Sequence, residues 1–452
     1  MGQITLKQAA QWCGGYVEPQ YETVTFFGAN NDSRNVKPGE LFVALQGARD
    51  GHEFIPQALR NGAAAVLCRH ADGDYPAIIV EDTRIALGDI ARGERNRLKA
   101  RVVGITGSVG KSTTKEMIAC VLDGTFRVGK SPVNHNNDLG LPMSILALPE
   151  DTQVAVLEMG MNHFREMAYL TSIAQPDVAV IINIGTMHIE NLGSIEGILK
   201  AKLEILEGMG PDDTLIFNGD DQLLWNVHKQ QKVSPVYFGV SNAESKVRAE
   251  NISFTPDGIG FDVRWDGPGF RVELPVEGEH FVLDALAAVT VGLQLGVSPA
   301  RIQQNLAGFA NMEGRQEIFE AKNCTIIKDC YNAGPESMAA ALTVLGSRKA
   351  RRVAVLGDML ELGACSQAEH YRIGRIAAEK ADLVLAYGTN APRVISGAVT
   401  GGMDTAHARA YDDRDAMAKA LCRLYKPGDV ILFKGSHSMH MDLVLDAFLK
   451  EE

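Results

Sequence analysis

The segment Ile105–Thr114, ITGSVGKSTT, reads as a strand that runs into a glycine loop and then a helix. The apolar run RVVGIT ends at Thr106, and the loop is Gly107, Ser108, Val109 and Gly110. Lys111, Ser112 and Thr113 then open a stretch whose apolar residues, Met117, Ile118, Val121 and Leu122, recur at helical spacing. Glycines let backbone N–H groups face phosphate oxygens, and a helix N-terminus adds positive potential. Lys111 can reach the outer phosphates of a nucleotide and Ser112 can ligate Mg²⁺. Ile105 stands where the usual spacing has its first glycine, and Gly107 lies inside the loop instead. The chain contains no Asn-Lys-x-Asp guanine-reading tetrapeptide, which favours ATP.

The same strand-then-helix rhythm extends on both sides of this cradle and predicts an α/β protein of three domains. Residues 1–98 carry short β-type runs, ELFVAL, AAVLC and AIIVE, between helical stretches. Residues 99–311 add the strands VAVLEM and VAVIINI. Within them, the Gly/Pro-punctuated piece 235–275 (VYFGV, GIGFDVRW, FRVELPV) suggests an antiparallel addition to a parallel sheet. Residues 312–452 repeat the rhythm with CTIIKD, RRVAVLGD, ADLVLAYG and DVILFKG, as a Rossmann-like domain would. Polar residues gather where these strands end: Glu158, Asn183, His188, Asp329, Asp358 and Lys434. Open α/β sheets bind ligands at that edge.

Composition narrows the function. The 452 residues are 46 % hydrophobic and 22 % charged, with a net charge of −12, which argues against nucleic-acid or acidic-membrane binding. The seven cysteines are scattered without a CxxC pair, as expected of reduced thiols in the cytoplasm. No apolar run is long enough to span a membrane, and Leu at position six speaks against myristoylation of Gly2.

A metal needs more than Ser112, and Glu158 at a strand end is the natural carboxylate partner. His188, in NIGTMHIENLGS, lies beyond the next strand. Lys200 and Lys202 follow in ILKAKLEIL. An ammonium beside Mg²⁺ is repelled, so such a lysine helps only by meeting phosphate or by being modified into an anion.

These residues, in this order, resemble the Mur ligases, ATP-dependent amide-forming enzymes of peptidoglycan synthesis. TGSVGKST, the Glu after VAVL, MHIENLGS, AKLEI and GEHFVLDALAA carry the likeness over nearly the whole chain. NHNNDLGLP, KDCYNAGPESM, VAVLGDMLELG with His370 after it, and KGSHSMHMD narrow it to the branch that adds D-Ala-D-Ala to UDP-MurNAc-tripeptide. DSRNVKPGELFVALQGARDGHEF resembles the segment that binds the UDP-sugar in this group.

The resemblance implies a monomer and a set of roles. Thr106 to Thr113 and Asn137 would surround the ATP phosphates, with Lys111 and Arg315 as cations. Ser112 and Glu158 would share one Mg²⁺. His188 and Lys202, the latter carbamylated by CO₂, would hold a second. His280 and Asp284 would meet adenine and Asp329 the ribose. Ser33, Arg34, Asp50, Gly51 and His52 would meet the UDP-sugar, and Tyr331, Asn332 and Ser436 would lie in the dipeptide region. Phe281, Asp284, Lys328, Gly334 and His437 depart from the family pattern; the last three fall where the dipeptide is expected. Two other readings stand beside this one: a related ligase adding a different amine, and a P-loop switch protein. In the second, His188 and Lys202 have no purpose.

Overall fold

The computed structural model describes residues 3–227, 233–255 and 258–451. Gly2 lies outside them. Among the described residues four sheets form.

The central sheet has nine strands. In spatial order they are Phe270–Leu274, Gly258–Arg264, Val247–Thr255, Val236–Gly239, Thr214–Asn218, Val178–Ile181, Arg101–Thr106, Val154–Glu158 and Val128–Lys130. Pairing is parallel from Val128–Lys130 to Val247–Thr255, and antiparallel over the last three strands. The antiparallel addition expected in 235–275 is therefore present, with one correction: Val236–Gly239 pairs parallel to Thr214–Asn218 and belongs to the main sheet. Its short run carries no sign of direction.

Arg101–Thr106 sits between Val178–Ile181 and Val154–Glu158, so the chain leaves it once to each side. This is the topological switch point, where neighbouring strand ends splay into a crevice. The helix that follows, Lys111–Leu122, begins at Gly110 with φ +84°, a conformation glycine adopts without strain. Met117, Ile118, Val121 and Leu122 are fully buried, each worth about 1.5–3 kcal/mol of apolar burial. They pack against the helix His280–Gln294, whose residues 281–292 are nearly all buried, as an apolar-all-round helix requires.

The third sheet runs Glu317–Ala321, Cys324–Asp329, Val430–Lys434, Arg352–Gly357, Leu383–Tyr387 and Ala408–Tyr411, parallel except for its first strand. The N-terminal part has a parallel sheet of Ala29–Asn30, Leu41–Val43, Ala65–Cys68 and Ala77–Ile79, with a small antiparallel pair beside it. Its helix Thr83–Arg97 docks on the central unit. Arg95 donates to the Ala174 carbonyl at 2.8 Å and to Asp177 at 2.9 Å. Among the described residues no helix is long and apolar enough to cross a membrane.

Candidate active site

The cradle is held open by a side chain 75 residues away. Asn183 Oδ1 accepts from the N–H of Ser108 (2.9 Å) and Val109 (3.0 Å), and its amide donates to the Val109 carbonyl at 3.0 Å. Lys111 turns back onto the Gly107 carbonyl at 2.8 Å. Burial pushes its ammonium below the usual lysine range, Arg315 adds to that, and Glu158 opposes it. A phosphate is the anion such a lysine lacks. Thr106 is buried at the strand end with its hydroxyl unpartnered.

The carboxylate of Glu158 is fixed at both oxygens. Ser112 donates to Oε2 at 2.7 Å, and Asn136 donates to Oε1 at 2.8 Å. Arg315, arriving from beyond the second unit, donates to the Ser112 hydroxyl at 2.9 Å and lies 3.8 Å above the Tyr331 ring. Ser112 and Glu158 present hard oxygens side by side, the donor chemistry that suits Mg²⁺. No cluster of three or more His, Cys, Asp or Glu forms among the described residues, so a metal here takes further ligands from phosphate or water.

His188 lines the same cleft, with φ +65°, and its Nδ1 lies 2.6 Å from Glu361 Oε2. The two atoms touch without the alignment of a hydrogen bond. Lys202, by contrast, is buried at 2 % exposure and does not line the cleft. Burial lowers its pKa far below the ordinary lysine value, and the Lys111 charge lowers it further.

The whole cleft has a volume of about 550 Å³, and beside the cradle it is lined by His280, Phe281, Leu283 and Asp284 from the central unit and by Asp329, Lys434, Ala340 and Ala341 from the third sheet's unit. Lys434 donates to Asp329 at 2.6 Å and to the Asn332 carbonyl at 2.9 Å. Thr114 donates to Asp284 at 2.9 Å, and Gly110 leaves room for that carboxyl: a Cβ there would lie 2.6 Å from its oxygen. Burial lifts Asp284 to about 7, against the Thr114 hydrogen bond and the Arg315 charge, and burial lowers His280 to about 4.

The Asp284 shift has a measurable sign. The folded state keeps its proton up to about pH 7, whereas the unfolded chain releases it near 3.8. Folding therefore binds a proton across that window, and the stability held at lower pH is lost as pH rises through 7. The melting temperature of the wild type relative to Asp284→Asn is expected to fall over that interval and then level off. His280 acts in the other sense and is common to both proteins, so it cancels. A difference that ignores pH would contradict the buried acid.

Tyr331 and Asn332 reach the cleft. Ser436 does not: it is buried, and its hydroxyl accepts from Leu360 N–H at 2.9 Å and donates to the Ala333 carbonyl at 3.3 Å. Lys328 also points elsewhere, its ammonium 3.5 Å from both Glu313 and Glu317. Gly334 has an ordinary backbone angle but little room, since a Cβ would lie 2.9 Å from Met187 Sδ. His437 is exposed, 6.1 Å from the Tyr331 ring. Asn137 lines the cleft while its side-chain oxygen accepts from Gly140 N–H at 2.8 Å.

The five N-terminal residues fall into two groups, neither of which lines this cleft. Ser33 is buried and donates to Gln57 at 2.8 Å; Arg34 is exposed and paired with Asp32 at 2.7 Å. Asp50 Oδ1 meets His52 Nδ1 at 2.7 Å, while His52 Nε2 accepts from Arg69 N–H at 3.0 Å, so Nδ1 carries the proton. Gly51 is needed for close packing: a Cβ would lie 2.6 Å from Leu45 N and O. Gly51→Ala is expected to cost about 1–3 kcal/mol in chemical unfolding. An unchanged midpoint would mean the loop yields freely.

Asn136 and Glu336 carry site contacts that the sequence analysis passed over. Asn136 had a signal, the NHNN run, in which its neighbour was chosen. The strand-end rule did mark Asn183 and Lys434, without a role for either.

Residues 105–292 match the family model of the Mur ligase middle domain, residues 314–437 that of the Mur ligase, glutamate ligase domain, and residues 25–95 that of the Mur ligase family, catalytic domain. The chain is 37 % identical over 451 residues to the UDP-N-acetylmuramoyl-tripeptide–D-alanyl-D-alanine ligase of Bacillus subtilis (strain 168), covering 98 % of this chain and 97 % of that one. It is similar to the crystal structure of MurF from Acinetobacter baumannii, with a TM-score of 0.92, 32 % identity and 100 % of both chains covered. It is also similar to the MurF ligase from Thermotoga maritima in complex with ADP, with a TM-score of 0.82, 30 % identity, and 94 % and 97 % of the two chains covered.

Proposed function

This chain belongs to the Mur ligase family, and from that premise we propose that it is the ATP-dependent ligase joining D-Ala-D-Ala to UDP-MurNAc-tripeptide in peptidoglycan synthesis. One observation carries the reading: the phosphate cradle and the third sheet's strand ends face one cleft, so nucleotide, acid and amine can meet in it.

Joining a carboxylate to an amine in water is uphill, and a carboxylate is a poor electrophile. ATP phosphorylates the terminal carboxylate of the tripeptide, forming an acyl C–O–P bond and releasing ADP. The neutral amine of the dipeptide then attacks that carbonyl, the C–O bond breaks, inorganic phosphate leaves, and the proton shed by the nitrogen passes to the departing phosphate or to water. Two anions approach in the first step, and Lys111 and Arg315 are the cations at hand to offset their repulsion. Mg²⁺, when bound, supplies further charge neutralisation on the phosphates. Alignment of three substrates accounts for much of the rate.

Ser112 and Glu158 are the proposed holders of one Mg²⁺, and His188 with a carbamylated Lys202 of a second. The carbamate is supported by the surroundings of Lys202: a buried amine, free of hydrogen-bond and salt-bridge partners among the described residues, that favours its neutral form. A neutral amine adds to CO₂ with loss of one proton, giving an anion. The residues of the cradle are proposed for the ATP phosphates, His280 and Asp284 for adenine, Asp329 for ribose, and Ser33, Arg34, Asp50, Gly51 and His52 for the UDP-sugar. The proposed division at 98 and 311 is supported by strand pairing, since no sheet among the described residues crosses either position. Cytoplasmic work suits seven free thiols.

The test is a coupled assay in which one of UDP-MurNAc-tripeptide, D-Ala-D-Ala and ATP is omitted in turn, with ¹⁸O in the tripeptide's terminal carboxylate. Phosphate release is expected only with all three, and one labelled oxygen should appear in that phosphate. Unlabelled phosphate would rule out the acyl phosphate.

A further inference from the structure

We infer that Glu336 is a positioning residue that latches the C-terminal unit onto the nucleotide cradle. It stands in the first turn of the helix Pro335–Gly346 and reaches across to the loop after strand Val178–Ile181. Its Oε1 accepts from both the backbone N–H and the hydroxyl of Thr186, each at 3.0 Å. The preceding residue, Gly185, donates its N–H to Ser108 Oγ at 2.8 Å, inside the cradle. Gly185 is where the two contacts converge: a Cβ there would lie 3.0 Å from Glu336 Cδ and 3.2 Å from Ser108 Cβ. The carboxylate thus lies beside the residue that ties this loop to the phosphate site, with no room for a side chain between them.

The same unit grips the loop a second time, through Glu361 at 2.6 Å from His188 and Gly363 against Glu190. Glu336 Oε2 is buried without a partner, which costs free energy. An apolar side chain would fill that space at lower cost, so the contribution of the carboxylate lies in the reach of its other oxygen. The latch makes ordering of the cradle conditional on closure of the third sheet's unit.

This rests on the reading of the cradle as the ATP site, and the experiment separates the two. Affinity for a non-hydrolysable ATP analogue with Mg²⁺ is measured by calorimetry, and the radius of gyration by X-ray scattering with and without it. Wild type, Glu336→Ala, Glu336→Gln, Thr186→Val and the Glu336→Ala/Thr186→Val pair are compared, with melting curves to verify folding. The wild type should bind and become more compact. Glu336→Ala should bind roughly tenfold more weakly and stay more open. Glu336→Gln, which keeps an acceptor oxygen, should recover most of the loss, and the pair should be no weaker than Glu336→Ala alone. Wild-type affinity and compaction in Glu336→Ala, no recovery in Glu336→Gln, or additive effects of the two changes would overturn the latch. A wild type that binds no analogue would overturn the ATP reading itself.

Discussion

Lys202→Ala is expected to lower the ligation rate by about 10³-fold or more, while Lys202→Glu keeps a measurable fraction. The lysine is 2 % exposed, burial lowers its pKa, and the like charge of Lys111 lowers it further. An unmodified ammonium there has no stabilising partner, so its removal should leave the melting temperature unchanged or raise it. Loss of activity without loss of stability is the signature of a functional anion. A glutamate places a carboxylate near the carbamate position, at shorter reach, and so restores part of the charge. Wild-type enzyme freed of bicarbonate should lose rate and regain it when bicarbonate returns, and Lys202→Glu should ignore the change. Full activity of Lys202→Ala, with or without bicarbonate, would end the carbamate role.

Arg315→Ala is expected to cost about 10³-fold in kcat, comparable with other arginines that meet a transferring phosphoryl group. Its guanidinium bonds the Ser112 hydroxyl at 2.9 Å and stacks 3.8 Å from the Tyr331 ring, so it is already oriented before substrate arrives. Arg315→Lys should recover little, because a lysine neither stacks as a plane nor donates as a fork. The KM for ATP should change much less than kcat if the contact strengthens as charge builds on the phosphate. A large rise in KM with kcat intact would instead make Arg315 a residue for ground-state binding. Tyr331→Ala provides a milder form of the same test, since it removes the stacking surface and keeps the charge.

Much of this protein could be read from contiguous residues. The cradle is local: a strand, four loop residues and a helix fix the direction of its N–H groups within ten positions, Ile105 to Thr114. The parallel strands were recognisable as short apolar runs, and the polar residues at their ends marked the edge where the cleft lies. The antiparallel addition followed from its glycines and alternation, although the direction of Val236–Gly239 did not. Ser436 and Lys328 were placed near the dipeptide by motif likeness, yet one is buried and the other turns to Glu313 and Glu317. A motif gives a position along the chain, and the direction of a side chain depends on what packs against it.

What the sequence indicated alone was therefore the chemistry expected of each segment: a phosphate cradle, strand-end acids, and a lysine that could serve a metal only if modified. Which segments meet was decided by folding. Asn183 holds a loop 75 positions before it, Ser112 meets Glu158 across 46, Glu336 meets Thr186 across 150, and Arg315 meets Ser112 across 203. Backbone conformation and periodicity act over a few residues. Hydrogen bonds and buried charges act over a few ångströms, and only the packed sheets bring such distant positions within that range.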